Sequence, residues 1–505
     1  MQIAGDRSSR VERVVIVGGG TAGWMAAIYL NRYLRRMNGK VVLVEPPTLG
    51  TIGVGEATVP SLVNFLRMLN LDEKEFMRRA SATCKLGIKF EGWTGDETAY
   101  WHPFGICGAR VNGLDLFHFW LKRRFEAGSK LAYSDYSVQA LLAEGEKSPW
   151  PYGASSGIAE TGSYAYHLDA AAVGAYLREI AAGEGVQHLF GTVQNVACDD
   201  RGDIVTLDIG GNRRVEGDLF LDATGLLIEQ ALGDPWVDWS KFMLCDSEVA
   251  MPLTRGDRFP PYTLSKAMPA GWTWKIPLSN RTGNGYIFSS AHLSSDAAIE
   301  ALVGQAGLRR ARGADPRLLK FRVGRRTNFW LRNCVSVGPA SGFVEPLEST
   351  GIHLIQQAIM LLVGSMPDRR FNDALRRAYN SKMDAIFDEV RDFIVLHYIL
   401  ARRDEPFWRD ARNVAVPDSL RESLAAYDET GRIESSRLQL FPESSYFFIL
   451  SGHGRLPRRL IIEADLAHAG EIWHLLDRIR EEASQFVARM PGHEAFLSEL
   501  HRKSL

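Results

Sequence analysis

Three glycines in fixed register constrain this chain most: Gly18, Gly20 and Gly23 in the stretch RVERVVIVGGGTAGWMAAIYLNRYL. The β-branched run Val14–Val17 reads as a buried strand, the glycines as a tight turn, and Met25, Ile28 and Tyr29 as the start of a helical pattern. Strand, G-x-G-x-x-G turn and helix together are the context in which this pattern binds a dinucleotide. Gly18 and Gly20 let the backbone turn and approach a pyrophosphate. Thr21 and Ala22 open the helix whose free amides receive it, and Gly23 lets helix and strand touch. A second apolar run, Val41–Val44, ends at Glu45, where a carboxylate reaches a ribose hydroxyl.

The chain has 505 residues, more than the about 250–300 over which one core usually grows. We divide it into a cofactor-binding core with an interleaved substrate region, 1–370, and a mainly helical region, 371–505. Lysine plus arginine (59) balance aspartate plus glutamate (60) with no long block of one sign. That balance argues against nucleic acid or a membrane surface as main partner and for a small-molecule enzyme. Cys84, Cys107, Cys198, Cys245 and Cys334 lack the close pairs that zinc sites or redox dithiols need. They read as reduced, mostly buried thiols in a cytoplasmic protein with no metal. MQIAGDRSSRVER has no apolar signal core, and the uncharged run Val14–Asn31 contains three consecutive glycines, so neither export nor a membrane span is expected.

Two later segments bear on the cofactor. DLFLDATG, Asp218 to Gly225, is an apolar strand whose Asp222-Ala-Thr-Gly ending resembles the late FAD-contacting segment of glutathione-reductase-type flavoproteins. From Val335 to Leu362 the chain again runs strand, glycine turn at Gly338 and helix, the helix starting near Ile352. In those flavoproteins such a helix aims its amides at the flavin, which favours a negatively charged reduced ring. FAD is therefore expected. No second G-x-G-x-x-G opens a strand–helix unit, so NAD(P)H reduction of the flavin is assigned to a separate protein.

AGWTWKIPL, Ala270 to Leu278, puts Trp272 and Trp274 two positions apart, on one face of a strand that Pro277 ends or places at an edge. Core packing alone would explain such a pair. Together, however, GGGTAGW, GVGEATVPSL, CKLGIKFEGW, WTWKIP, EPLESTGI and DFIVLHYILARRDEPFW, in this order from about residue 12 to about 455, resemble one family. They resemble the flavin-dependent halogenases of the tryptophan-halogenase type.

The resemblance implies an α/β fold: a doubly wound, glutathione-reductase-like FAD domain, a mixed-sheet substrate region and a helical C-terminal third. It implies halogenation of an electron-rich aromatic by FADH2, dioxygen and chloride or bromide, through a peroxyflavin and hypohalous acid. Trp272, Trp274, Ile276 and Pro277 would keep the organic substrate from the flavin, and Thr350 and Gly351 would hold the halide by backbone amides. Lys85 of CKLGIKF would receive the oxidant, by hydrogen bonding it or as a haloamine, although spacing alone does not choose between Lys85 and Lys89. Glu348 would activate the oxidant or take the ring proton, with a weaker claim for Glu345. Ser349 and Thr350 are expected helix caps. His102 and Phe104 would sandwich an indole. The helical spacing of Phe393, Leu396, His397 and Leu400 reads as ordinary core packing.

Two departures stand out. The segment SYFFILSGHG carries Tyr446 and Phe447 where tryptophan-specific members have a tyrosine pair, and His453 falls at or near the position of the acid that binds the amino acid's ammonium. That favours indole or an indole derivative over free tryptophan. Pro339 stands where many FAD monooxygenases carry Gly-Asp. Rival readings are a halogenase of free tryptophan, an FAD-dependent aromatic hydroxylase, and a non-catalytic flavin or electron-transfer protein. The expected partners are a small aromatic, a flavin reductase and, as a homodimer, at most a second copy.

Overall fold

The computed structural model describes residues 10–47, 55–149, 158–307, 311, 313–433 and 440–502. Gly53 and Val54, the start of the GVGEATVPSL motif, lie outside them.

The first glycine motif sits where its strand pairing requires. Arg13–Val17 is flanked in parallel by Lys40–Glu45 and Leu219–Asp222, and the sheet continues to Gln187–Phe190 on one side and Cys334–Ser336 on the other. Runs such as VVIV and VVLV are buried on both faces, as central parallel strands are. The antiparallel strand Trp330–Leu331 closes one edge. Helix Thr21–Leu34 covers one face beside Ala170–Gly183 and Gly351–Gly364. This is the doubly wound layer expected of a dinucleotide fold, assembled from segments far apart in the sequence.

A second, mixed sheet carries the substrate region. Its order is Arg317–Lys320, Ser247–Ala250, Arg281–Phe288, Gly271–Pro277, Thr263–Met268, Gly87–Glu91 and Ala99–Pro103. The Thr263–Met268 pairing with Gly87–Glu91 is parallel, and the others on this path are antiparallel. The strand with both tryptophans is thus central and ends at Pro277, whose missing N–H costs nothing there. Trp274 faces Gly285 across the ladder, and a Cβ on that glycine would lie 2.4 Å from the indole. The neighbouring strand therefore needs glycine for the ring to lie flat on it. A small sheet, Gly55–Ala57, Ala165–Asp169 and Thr83–Lys85, packs alongside.

The C-terminal region is helical, as the sequence suggests. The 28-residue helix Asp373–Leu400 runs past the mixed sheet, and Glu443–Gly452 lies against Ala99–Pro103. The charged tail folds back: Ala469–Arg489 packs on Leu116–Ala127 and Val138–Glu144. From the last helix, His493 accepts the Cys84 N–H at 3.1 Å, beside Lys85 in sequence. Cys84, Cys107, Cys245 and Cys334 are buried and Cys198 is exposed. No described helix is long and apolar enough to cross a membrane.

Candidate active site

Lys85 ends the strand Thr83–Lys85 with its side chain fully buried. Its Nζ donates to the Thr58 carbonyl at 3.0 Å and to the Ser349 hydroxyl at 2.8 Å, and lies 5.0 Å from the centre of the Phe104 ring. The ammonium has three donors, so one N–H has no hydrogen-bond partner among the described residues. Burial lowers its pKa to about 7, against the opposing pull of Glu348. Lys89, which spacing left as an equal candidate, is partly exposed, 3.5 Å from Glu91 and over Trp101. That is an ordinary face pair.

Glu348 is buried between two imidazoles. His102 Nδ1 lies 2.7 Å from its Oε2 and His397 Nε2 lies 2.8 Å from its Oε1. Burial pushes its pKa up, but charge and hydrogen bonding from His102 and then His397 outweigh it and hold the carboxyl at about 2. Glu345 shows the opposite balance. Its Oε2 accepts from the Trp272 indole at 3.0 Å and the Tyr398 hydroxyl at 2.5 Å, yet burial dominates and raises it to about 7. Two carboxyls three residues apart therefore divide into an ionised one and one held largely by its indole and phenol partners.

The local chain explains this placement. A short turn, Pro346–Glu348, leads to Ser349 in the left-handed region at φ 61°, which turns its hydroxyl to Lys85. The expected capping by Ser349 and Thr350 is not what is found. Thr350 is the cap residue of helix Gly351–Gly364 but its side chain makes no cap bond, and the Ser349 hydroxyl serves the lysine. The helix's first amides thus remain available, and a Cβ on Gly351 would meet nothing within 4 Å, so the space beside Thr350 and Gly351 suits a small anion.

Trp272, Trp274 and Ile276 share one face, and all three are buried. Each indole is pinned: Trp272 also reaches Tyr398 Oη at 3.1 Å, and Trp274 donates to Glu248 at 3.0 Å. Burial raises Glu248 to about 7. The Pro277 carbonyl accepts from Thr83 at 2.6 Å, which ties the wall to the strand of Lys85.

His102 does not stand free as one half of a sandwich; its ring is committed to Glu348. Around it are Phe393 at 5.4 Å and Phe441 at 6.2 Å, stacked on each other at 3.9 Å, with Tyr446 edge-on to Phe393 at 4.9 Å. Phe104 covers Lys85 and packs with Val59 and Ala165. Phe447 is a correction. It points the other way, fully buried and stacked on Phe117 at 4.1 Å, near Tyr133 and Tyr427. Neighbouring helix residues diverge by about 100°, so of the two only Tyr446 packs on Phe393, the ring beside His102. His453 is likewise buried, its Nε2 3.0 Å from Tyr100 Oη. The sequence pattern gave Ser349 only a capping role and His397 and Phe393 only packing, and did not single out Phe441 or Tyr100; the i, i+4 spacing of Phe393 and His397 was the available signal.

The glycine turn has the openings that a bound dinucleotide would need. Gly18 adopts φ +110°, a Cβ at Gly20 would meet nothing within 4 Å, and a Cβ at Gly23 would lie 1.8 Å from the Gly18 carbonyl. The helix that starts at Thr21 has no side-chain cap, so its amides are free for a pyrophosphate. The Thr21 hydroxyl itself is used on the Ala170 carbonyl at 3.2 Å. Glu45 holds His188 at 2.7 Å through one oxygen while the other lies over Gly19. The two glycine turns meet, since a Cβ on Gly338 would be 2.8 Å from Ala22 Cβ. Asp222 departs from expectation: its carboxylate accepts from the amides of Thr224, Gly225, Leu227 and Ile228 and from the Thr224 hydroxyl. Fully buried, it shapes the turn instead of reaching a cofactor. Ile352 is buried in the first turn of its helix.

Residues 13–468 match the tryptophan halogenase family. Tryptophan 6-halogenase ThaL of Streptomyces albogriseolus is 34% identical over 549 aligned positions, covering 98% of this chain and 100% of that protein. BrvH, a flavin-dependent halogenase from Brevundimonas sp. BAL3, superposes with a TM-score of 0.92 at 38% identity, covering 98% of this chain and 100% of its own. Xcc4156, a flavin-dependent halogenase from Xanthomonas campestris, gives 0.91 at 39%, covering 97% and 98%.

The placement of Phe447 predicts that Phe447→Ala costs stability, about 3–5 kcal/mol for a large aromatic in a packed core. Chemical denaturation of the variant and of Tyr446→Ala measures this. An equal or larger loss for Tyr446→Ala would contradict the assignment of Phe447 to the core and Tyr446 to the site.

Proposed function

The chain belongs to the tryptophan halogenase family, and on that premise we propose that it installs chloride or bromide on an electron-rich aromatic ring, indole or an indole derivative. It is a flavin-dependent halogenase. Gly18, Gly20, Gly23, Glu45 and Gly338 would hold FAD, and Thr350 and Gly351 the halide; the free helix amides and the open space at Gly20 and Gly351 support this. Bound FADH2, supplied by a separate NAD(P)H-dependent flavin reductase in the cytoplasm, provides with dioxygen and halide the hypohalous acid used at the site.

The observation that carries the reading is the fully buried Lys85 with two N–H groups fixed and the third uncommitted, close enough to the ionised Glu348 to feel its charge. The remaining N–H holds the oxygen of hypohalous acid, and the fixed pair keeps the ammonium from swinging away. Glu348 moves the protons: one to that oxygen as it departs as water, and one from the ring carbon that has gained the halogen. Phe393, Phe441 and Tyr446 with His102 supply aromatic surface for a flat ring. Trp272 and Trp274, each pinned through its indole N–H, keep that ring away from the flavin. A hydroxylase has no use for this wall or for the buried lysine.

Substrate choice follows from the C-terminal segment. Phe447 is in the core, and His453 is engaged with Tyr100 and held neutral by burial, at about 3, so neither offers an anion to an amino acid's ammonium. A hydrogen bond to a charged group contributes about 1.5–3 kcal/mol, so loss of that anchor favours indole by about tenfold or more.

Two outcomes are expected. Lys85→Met abolishes halogenated product while FADH2 oxidation proceeds at the wild-type rate, measured by absorbance and product mass spectrometry side by side; halogenation by the variant would refute the role of the lysine. In competition between equimolar indole and tryptophan, indole is halogenated preferentially and at C3, its most reactive carbon. Preferential modification of tryptophan at a benzo-ring carbon would show that the amino-acid clamp is built elsewhere.

A further inference from the structure

The proposed chemistry has a gap at Glu348. A carboxyl held at about 2 by two imidazoles has no proton of its own to give to the departing oxygen. A bound aromatic would also shut it off from water on the substrate side, since Glu348 is only 1% exposed even without one.

On its other side polar groups follow one another closely, the step from Glu348 to His397 being a charge contact at 2.8 Å and not an aligned hydrogen bond. Glu348 Oε1 lies 2.8 Å from His397 Nε2, His397 Nδ1 lies 3.3 Å from Tyr100 Oη, and Tyr100 Oη lies 3.0 Å from His453 Nε2. His453 lines a cleft of about 450 Å³ shared with Arg402, Asp404, Arg412 and Arg455. The Asp404 side chain is 94% exposed, so the cleft is wet. His453 Nδ1 is buried and has no hydrogen-bond partner among the described residues. Three elements supply the chain: the strand Ala99–Pro103, the helix Asp373–Leu400 and the end of Glu443–Gly452. We propose that Glu348, His397, Tyr100 and His453 form a proton path that loads Glu348 from the cleft before halogen transfer and unloads it afterwards. The proposal rests on the function assigned above.

The direction of each bond follows from the ionised carboxylate. The charge contact with Glu348 favours the His397 tautomer with its proton on Nε2, so its Nδ1 accepts from Tyr100, whose oxygen accepts from His453 Nε2–H. That leaves His453 Nδ1 as the bare acceptor. A proton that reaches the buried Nδ1 as the His453 side opens to the cleft is matched by one passed from His453 Nε2 to Tyr100, one from Tyr100 to His397 Nδ1 and one from His397 Nε2 to Glu348. One proton moves and no electrons do. Glu348 then protonates the oxidant oxygen: the ring's π pair forms the carbon–halogen bond, the oxygen–halogen pair stays on oxygen, and water leaves. The carboxylate now faces the bare His397 Nε2 instead of a donor, which makes it a stronger base for the ring proton as the C–H pair returns to the ring. Running the hops backwards discharges that proton and restores the starting arrangement.

The surroundings suit this traffic. Burial, His397 and Arg402 keep His453 neutral at rest, while the Leu400 backbone beside it favours its protonated form. Burial and Glu348 push the Tyr100 phenol up, so it passes a proton without losing its own. His397 faces Glu348, Tyr100 and, at longer range, His102; Glu348 also faces Lys85.

Tyr100→Phe deletes one oxygen from the middle of the path and keeps a ring to stack on Phe90, 4.9 Å away. In the holoenzyme supplied with FADH2, bromide and indole, the rate of halogen transfer should fall about a hundredfold while flavin oxidation is unchanged. Its solvent deuterium isotope effect, a product of several protons in wild type, should shrink. His453→Ala should lose a similar amount and recover with added imidazole, which enters the cleft; Tyr100→Phe should not recover. Wild-type transfer rates and isotope effect in Tyr100→Phe, or an imidazole response shared by both variants, would overturn the path. A wild-type enzyme that forms no halogenated product would instead overturn the functional reading beneath it.

Discussion

A buried, ionised carboxylate within electrostatic reach of a buried lysine is the constraint on which the site depends. Taking either charge out of water costs several kcal/mol unless hydrogen bonds replace the lost solvent. Glu348 has a hydrogen bond with His102 and a close charge contact with His397, and Lys85 donates to Thr58 and Ser349. These partners come from four separate places in the sequence, so the pair is stable only once the strand of His102, the long helix of His397 and the loop of Ser349 are all in position. The aromatic shell of Phe393, Phe441 and Phe104 then excludes water and keeps the charges strong.

The same low-dielectric setting separates three carboxyls by what surrounds them. Glu348 meets imidazoles and stays charged; Glu345 and Glu248 meet indole N–H groups, and burial raises both to about 7. The latter two act as anchors for Trp272 and Trp274, which holds both indoles in the orientation that the proposed separation of substrate from flavin requires. A wall held only by packing could change rotamer; one held by a hydrogen bond to each ring has a single orientation.

Much of this was legible in the sequence, and the rest was hidden for identifiable reasons. The glycine turn at Gly18–Gly23 is local, and its strand–turn–helix context determines the fold around it. Lys85 and Glu348 were readable only through their motifs, because spacing offered Lys89 and Glu345 equally. His397 and Phe393 looked like packing because a helical period records which face is buried and not what is buried there. Tyr446 and Phe447 could not be told apart without the helix axis, as one residue's rotation sends the first to the site and the second to the core. Asp222 fitted the cofactor pattern at its position, yet it bonds its own turn.

The charge state of Glu348 decides whether the site can work in this way. Carbon-13 labelling of glutamate side-chain carboxyls, with Glu348→Gln to assign the signal, follows that charge by NMR. The prediction is a resonance at the ionised position from about pH 8 down to about pH 4, below the usual carboxylate range. A Glu348 signal that instead titrates near neutral pH, as those of Glu345 and Glu248 are expected to do, would mean that the imidazoles do not hold it charged.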